Sequence, residues 1–185
     1  MKIGIDIDET IAQYLEGFCE FYNDYFNKNI DVNNFEDFSF SKTMNINKQE
    51  AERLREMFLK SRYFDNIRLV EGARDAISKL NKKHELLFVT ARPESHKQKT
   101  EEFFKKYFPT YKFAVFHTDF RNKYKILKAR GVRLWIDDSC FAKDYAGKGI
   151  NVLLLDKPWN KGIEHSNIKR VGNWEEILEV VREYE

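Results

Sequence analysis

The segment Ile3-Gly4-Ile5-Asp6-Ile7-Asp8-Glu9-Thr10 constrains this chain more than any other stretch. Ile3, Ile5 and Ile7 describe a hydrophobic strand of the kind buried inside a sheet, and the strand runs straight into two carboxylates. Charges left unpaired at the end of such a strand are costly unless a cation or ligand meets them there. Asp8 or Thr10 could instead do no more than cap the next helix by accepting from backbone N–H groups. Three later segments separate the two readings.

Leu86-Leu87-Phe88-Val89 runs into Thr90-Ala91-Arg92-Pro93, and Leu134-Trp135-Ile136 runs into Asp137-Asp138-Ser139. Between them Asn122-Lys123 opens a helical stretch that ends at Gly131. The ordered set Asp-x-Asp-x-Thr, Thr, Lys, Asp-Asp, with fourteen residues from Lys123 to Asp137, resembles the haloacid dehalogenase-type phosphohydrolase superfamily over nearly the whole chain outside residues 14 to 70.

Periodicity alone gives a compatible fold class. Strands are expected at 2 to 7, 85 to 90, 113 to 117, 133 to 137 and 151 to 155, with helices near 72 to 82, 94 to 107, 122 to 130 and 174 to 184. Such alternation means an α/β architecture, a parallel sheet covered by helices through right-handed crossovers. Ligands then bind at the carboxyl ends of the strands, where Asp6, Thr90 and Asp137 fall. Residues 14 to 70 break the rhythm. Tyr14, Leu15, Phe18, Phe21, Tyr22, Tyr25 and Phe26 recur at helical spacing, and Ala51, Leu54, Met57 and Phe58 follow after a loop holding Phe35, Phe38 and Phe40. The resemblance therefore implies a Rossmann-like (HAD-like) three-layer core made of residues 1–13 and 71–185, with a small helical cap inserted at 14–70.

The chemistry follows from the residue types. Hydrolysis of a phosphate monoester needs a nucleophile, charge neutralisation and a proton for the leaving oxygen. Asp6 is the candidate nucleophile, forming an aspartyl-phosphate, and Asp8 the candidate acid and base. Asp6, Asp8, Asp137 and Asp138 form an all-oxygen set without His or Cys, which suits magnesium. Asp6, Asp138 and the backbone carbonyl of Asp8 are the expected ligands, with Asp137 either ligating directly or holding a metal-bound water. Lys123 would offset the remaining charge. Arg121, Lys125 and Lys128 are its neighbours, and Lys125 lies about 200° from it around a helix, so only one of the two can face the site.

Thr90 and the N–H of Ala91 would hold phosphoryl oxygens, while Arg92 either clamps substrate or pairs with Glu94 or solvent. His96, His117 and His165 have no role in this set, although His117 and Asp119 sit where a pocket wall would be, as does the segment Asp156 to Asn160. Among the insertion's aromatics, Tyr14, Phe18 and Phe40 are best placed to reach a substrate.

Asp8 also narrows the reaction, because dehalogenases lack a second carboxylate here. The short first motif, the helical insertion, Val70-Glu71-Gly72-Ala73 and Trp135-Ile136-Asp137-Asp138 look similar to the 5′-nucleotidases of the deoxyribonucleotidase type and their bacterial relatives, although Thr90-Ala91-Arg92-Pro93 departs from the Thr-Ser-Pro of the animal enzymes. The resemblance implies a magnesium-dependent phosphomonoester hydrolase acting on nucleoside monophosphates. The alternatives are a sugar-phosphate phosphatase and a 3′-phosphatase acting on nucleic-acid ends.

Composition bears on partners and location. Residues 71 to 133 carry 16 Lys and Arg against 7 Asp and Glu, enough to attract a phosphorylated substrate, but the lysines sit at the spacing of solvated helix faces. No arginine-rich or aromatic-interleaved nucleic-acid module accompanies them. With 185 residues and 42% hydrophobic content, one core plus a small module is the expectation. No apolar run approaches the roughly 18 residues needed to span a bilayer, and the absence of a leading apolar segment gives a cytoplasmic expectation. Cys19 and Cys140 are too few for a disulfide framework.

Overall fold

The computed structural model describes residues 1–184. Six strands form one parallel sheet: β1 (Lys2–Ile5), β2 (Glu85–Thr90), β3 (Ala114–His117), β4 (Leu134–Asp137), β5 (Asn151–Leu155) and β6 (Ile168–Val171). Their spatial order is β3-β2-β1-β4-β5-β6. This is the doubly wound arrangement, in which the chain reverses direction across the sheet beside β1 and opens a crevice at the carboxyl ends of β1, β2 and β4.

β1 turns Ile3 and Ile5 to one face and Gly4 to the other, and the sheet is covered on both. Ile3, Ile5, Phe88, Ile136 and Leu153 belong to one buried cluster, and Leu87, Val89, Trp135, Val152 and Leu154 to another. Helices α5 (Ala73–Leu80), α6 (Lys97–Tyr107) and α9 (Trp174–Arg182) supply Ile77, Phe104 and Ile177 to the first cluster; α7 (Lys123–Ala129) and α8 (Ala142–Gly147) supply Leu127 and Tyr145 to the second. Each such large apolar side chain contributes about 1.5–3 kcal/mol by leaving water. Gly4 is required on the second face: a Cβ there would lie 2.8 Å from both Leu127 Cδ2 and Trp135 Cε3.

Between β1 and α5 the chain makes four α-helices, α1 (Tyr14–Phe26), α2 (Phe40–Thr43), α3 (Lys48–Lys60) and α4 (Arg62–Asp65), with a 3-10 turn at Val32–Asn34. Its two connections to the core run alongside each other, with Gln13 N–H donating to the Arg68 carbonyl and Val70 N–H to that of Ile11, both at 2.9 Å. The interior of this insertion is aromatic. Phe18 meets Phe40, Phe58 and Phe35 edge-on, with centroids 4.7, 5.6 and 6.2 Å away.

Some boundaries differ from the sequence expectation. β1 ends at Ile5, not residue 7, because from Asp6 onward the backbone turns out of the sheet after a last bond from Asp6 N–H to the Ile136 carbonyl at 2.9 Å. The helix expected from residue 94 starts as a 3-10 turn, Glu94–His96, and becomes α6 only at Lys97. β6 and α8 were not anticipated. Among the described residues no helix is long and apolar enough to cross a membrane.

Candidate active site

Three strand ends converge. Asp6 follows β1, Asp137 closes β4 with Asp138 after it, and Thr90 closes β2. Asp6, Asp137 and Asp138 are all buried and each brings a carboxylate oxygen within 4.8 Å of the others. Lys123, at the start of α7 and wholly buried, donates from Nζ to Asp6 Oδ2 at 2.5 Å. Lys125 is exposed, as the helical geometry requires once Lys123 faces inward.

The surroundings of these acids are unequal. Thr10 Oγ1 donates to Asp138 Oδ1 at 3.1 Å, and Trp159 Nε1 donates to the Asp138 carbonyl and to Oδ2 at 2.9 and 3.2 Å. Asn160 Nδ2 adds a bond to the same carbonyl at 2.8 Å. Asp137 Oδ2 accepts from Ser139 Oγ at 2.5 Å, but its buried Oδ1 has no hydrogen-bond partner among the described residues. A buried carboxylate oxygen without a donor is expensive unless a cation meets it.

One lysine beside three buried carboxylates leaves the site short of positive charge. Burial, opposed by Lys123 and reinforced by Asp137, pushes the Asp6 carboxyl up to about 7. Burial, with Asp137 and Asp6 beside it, holds Asp138 well above the usual carboxylate range. For Lys123 burial works against the charge, but Asp6 and Asp137 outweigh it and raise the ammonium above its ordinary value. A hard divalent cation is what this donor set fits: oxygen ligands only, an unpartnered oxygen and two negative charges in excess.

Asp8 stands apart. Its carboxylate is outside that acidic group and is held by Arg92, whose Nη2 donates to Oδ1 at 2.6 Å and whose Nε reaches both oxygens at 3.1 Å. Arg92 is therefore neither paired with Glu94 nor solvated. Thr90 Oγ1 accepts from Arg92 N–H at 3.1 Å, which leaves the hydroxyl proton free.

Above these groups lies a cavity of about 180 Å³. Its polar floor includes Asp6, Asp8, Ala91 and Asp138, and its walls include Tyr14, Phe35, Phe38 and Phe40 from the insertion with Phe120 and Trp159 from the core. Phe40 thus lies where the sequence placed it. Phe18 does not: it is fully buried behind Phe40, because one further turn along α1 carries its ring into the insertion's own core. His117 and Asp119 line a separate depression beside Pro93 and Glu94.

Arg55, from the middle of α3, was missed. It lines the cavity, and its Nη2 donates to the Ala91 carbonyl at 3.0 Å. In the sequence it stands in Glu52-Arg53-Leu54-Arg55-Glu56, which reads as a solvated helix face and gives no signal of a pocket.

The model of the family described as 5′ nucleotidase, deoxy (Pyrimidine), cytosolic type C protein matches residues 1–184. The chain belongs to this nucleotidase family. A Clostridium acetobutylicum nucleotidase is 27% identical to it over 184 residues, covering 98% of this chain and 93% of the relative. YqfW of Bacillus subtilis (strain 168), provisionally described as a nucleotidase, is 28% identical over 187 residues, covering 97% and 92%. Among solved structures, a haloacid dehalogenase-like family hydrolase of Streptococcus pneumoniae superposes with a TM-score of 0.69 at 15% identity, with 97% of each chain covered. The HAD-hydrolase YfnB of Bacillus subtilis, solved bound to magnesium, gives 0.65 at 15% identity over 97% of each chain. At these identities the structural likeness establishes the fold, while the family match makes this nucleotidase a phosphatase-type enzyme.

Proposed function

We propose that this nucleotidase hydrolyses nucleoside monophosphates through an aspartyl-phosphate on Asp6, with magnesium held by Asp6, Asp137 and Asp138 and by the backbone carbonyl of Asp8. The observation that carries the reading is the pair of carboxylates with different surroundings: Asp6 buried against Lys123 and the acidic pair, Asp8 on an arginine at the cavity. Two carboxylates kept in separate environments can take separate roles.

Magnesium bound there would neutralise phosphoryl oxygens and keep Asp6 ionised. Asp6 attacks phosphorus as the bond to the leaving oxygen breaks, and Asp8 gives that oxygen its proton. Asp8 then takes a proton from a water that attacks the aspartyl-phosphate, so Asp6 is released as carboxylate and Asp8 is again protonated. Lys123 bridges Asp6 and the transferring group, and Thr90 Oγ1 and Ala91 N–H donate to phosphoryl oxygens.

Residues 14–70 are assigned as a cap that selects the substrate. The aromatic walls support a planar base over a sugar, since stacking a base on one ring is worth about 1–3 kcal/mol, and a cavity of about 180 Å³ with these walls favours a single nucleotide over the end of a nucleic acid. Hydrolysis of a panel of nucleoside monophosphates, sugar phosphates and 3′-phosphorylated oligonucleotides, with and without magnesium, tests the proposal. It predicts the highest kcat/KM for a nucleoside monophosphate. Equal efficiencies for nucleotide and sugar phosphate would refute the substrate class, and turnover unaffected by chelation would refute the metal.

A further inference from the structure

Arg92 is fixed from every side. Its side chain is 1% exposed. Its backbone N–H donates to Thr90 Oγ1 at 3.1 Å and its carbonyl lies 3.1 Å from His117 Nδ1. The guanidinium carbon sits 4.7 Å from the ring centroid of Phe64 on α4 and 5.4 Å from that of Phe103 on α6, and Nη1 reaches Thr100 Oγ1 at 3.4 Å. The remaining donors, Nε and Nη2, point at Asp8. Arg92 does not line the cavity, whereas Asp8 does.

We infer that Arg92 is a positioning residue for Asp8, and that Phe64, from the inserted segment, holds the guanidinium in place, so that proton transfer depends on that segment being seated on the core. The inference rests on Asp8 being the acid and base of the proposed reaction. An arginine fork fixes a carboxylate in plane and direction, which a single ammonium contact does not. Asp8 Oδ1 takes the 2.6 Å bond and one of the two 3.1 Å bonds, leaving Oδ2 with a single 3.1 Å contact. Oδ2 is accordingly the oxygen that carries the proton: it gives it to the leaving oxygen as that bond to phosphorus breaks, then takes one from the attacking water as the Asp6–phosphorus bond breaks. Positioning matters here because a shift of about 1 Å can cost on the order of 100-fold in rate.

The test uses leaving groups that differ in their need for a proton. 4-Nitrophenolate leaves without one, whereas an alkoxide does not. In Arg92→Lys and Arg92→Gln, kcat/KM for alkyl phosphates and nucleotides should fall by about 100-fold or more, in line with the loss of a positioned acid. The kcat/KM for 4-nitrophenyl phosphate should stay within about tenfold, with a burst of nitrophenolate as hydrolysis of the phosphoenzyme slows. Phe64→Leu, which leaves the charge pair untouched, should show the same split at smaller size and guards against misfolding of the Arg92 variants. Asp8→Asn must show the split itself, and adding Arg92→Lys to it should cost nothing further. Equal losses on both substrate types in the Arg92 variants, or an unaltered Arg92→Lys, would overturn the positioning role. An Asp8→Asn enzyme without the split would overturn the acid–base reading beneath it.

Discussion

Replacing Lys123 with Met keeps the length and packing of the side chain while deleting the cation that faces Asp6. At 2.5 Å the gross attraction between opposite unit charges is about 7 kcal/mol for an effective dielectric constant near 20. Much of this offsets the desolvation of the pair, and removing one partner of a buried pair costs about 3–5 kcal/mol net. If that loss is felt in the transition state, kcat/KM falls by about 10²–10⁴, at 1.36 kcal/mol per decade. Loss of the lysine also removes the pull that opposes burial at Asp6, so in the metal-free protein its carboxyl is driven further above the usual carboxylate range. Steady-state hydrolysis of 4-nitrophenyl phosphate and a nucleoside monophosphate measures the effect, with a thermal melt to verify folding and the exposed Lys125→Ala as control. A folded Lys123→Met enzyme within tenfold of wild type, or an equal loss in Lys125→Ala, would refute the assignment.

Phe40→Ala should lower the preference for nucleotide over a small aryl phosphate by an amount equivalent to about 1–3 kcal/mol, whereas Phe18→Ala should cost about 3–5 kcal/mol of stability with the preference intact; denaturant melts and competition kinetics distinguish the two. Asp6 titrates near 7 in the fold against 3.8 ordinarily, so this group's contribution to the stability of the metal-free protein is lost as pH rises from about 4 to 7. Asp138 and Glu9, also raised, act in the same direction. Magnesium should therefore raise Tm more at about pH 7.5 than at about pH 5, and an equal shift at both would contradict the ligand assignment. Gly4→Ala should destabilise the sheet by about 1–3 kcal/mol through the clash with Leu127 and Trp135, read by a melt.

The elements that carry the chemistry were legible because strand ends in a parallel sheet are marked by abrupt changes of residue type: apolar runs stop at Asp6, Thr90 and Asp137. β6 was not legible. Its four residues include Lys169 and Arg170, which pair with Glu183 and Asp156 at the open edge of the sheet, and so it lacks the apolar run that a central strand needs. Helical spacing put Tyr14 and Phe18 on one face of α1 but could not tell which turn faces the cavity and which the insertion's core. That is decided by Phe35, Phe40 and Phe58 closing around Phe18. The Arg92–Asp8 pair joins residues 84 positions apart, and nothing local distinguishes it from a pair with Glu94.

The proposed reaction stands on Asp6 as its nucleophile. Asp8→Asn mixed with 4-nitrophenyl phosphate and magnesium, acid-quenched within one turnover and analysed by peptide mass spectrometry, tests it most directly. The expected result is a burst of nitrophenolate close to the enzyme concentration and one phosphoryl group on the side chain of Asp6, absent when Asp6→Asn is added. Phosphate released without any phosphoenzyme, or a phosphoryl group on another residue, would contradict it.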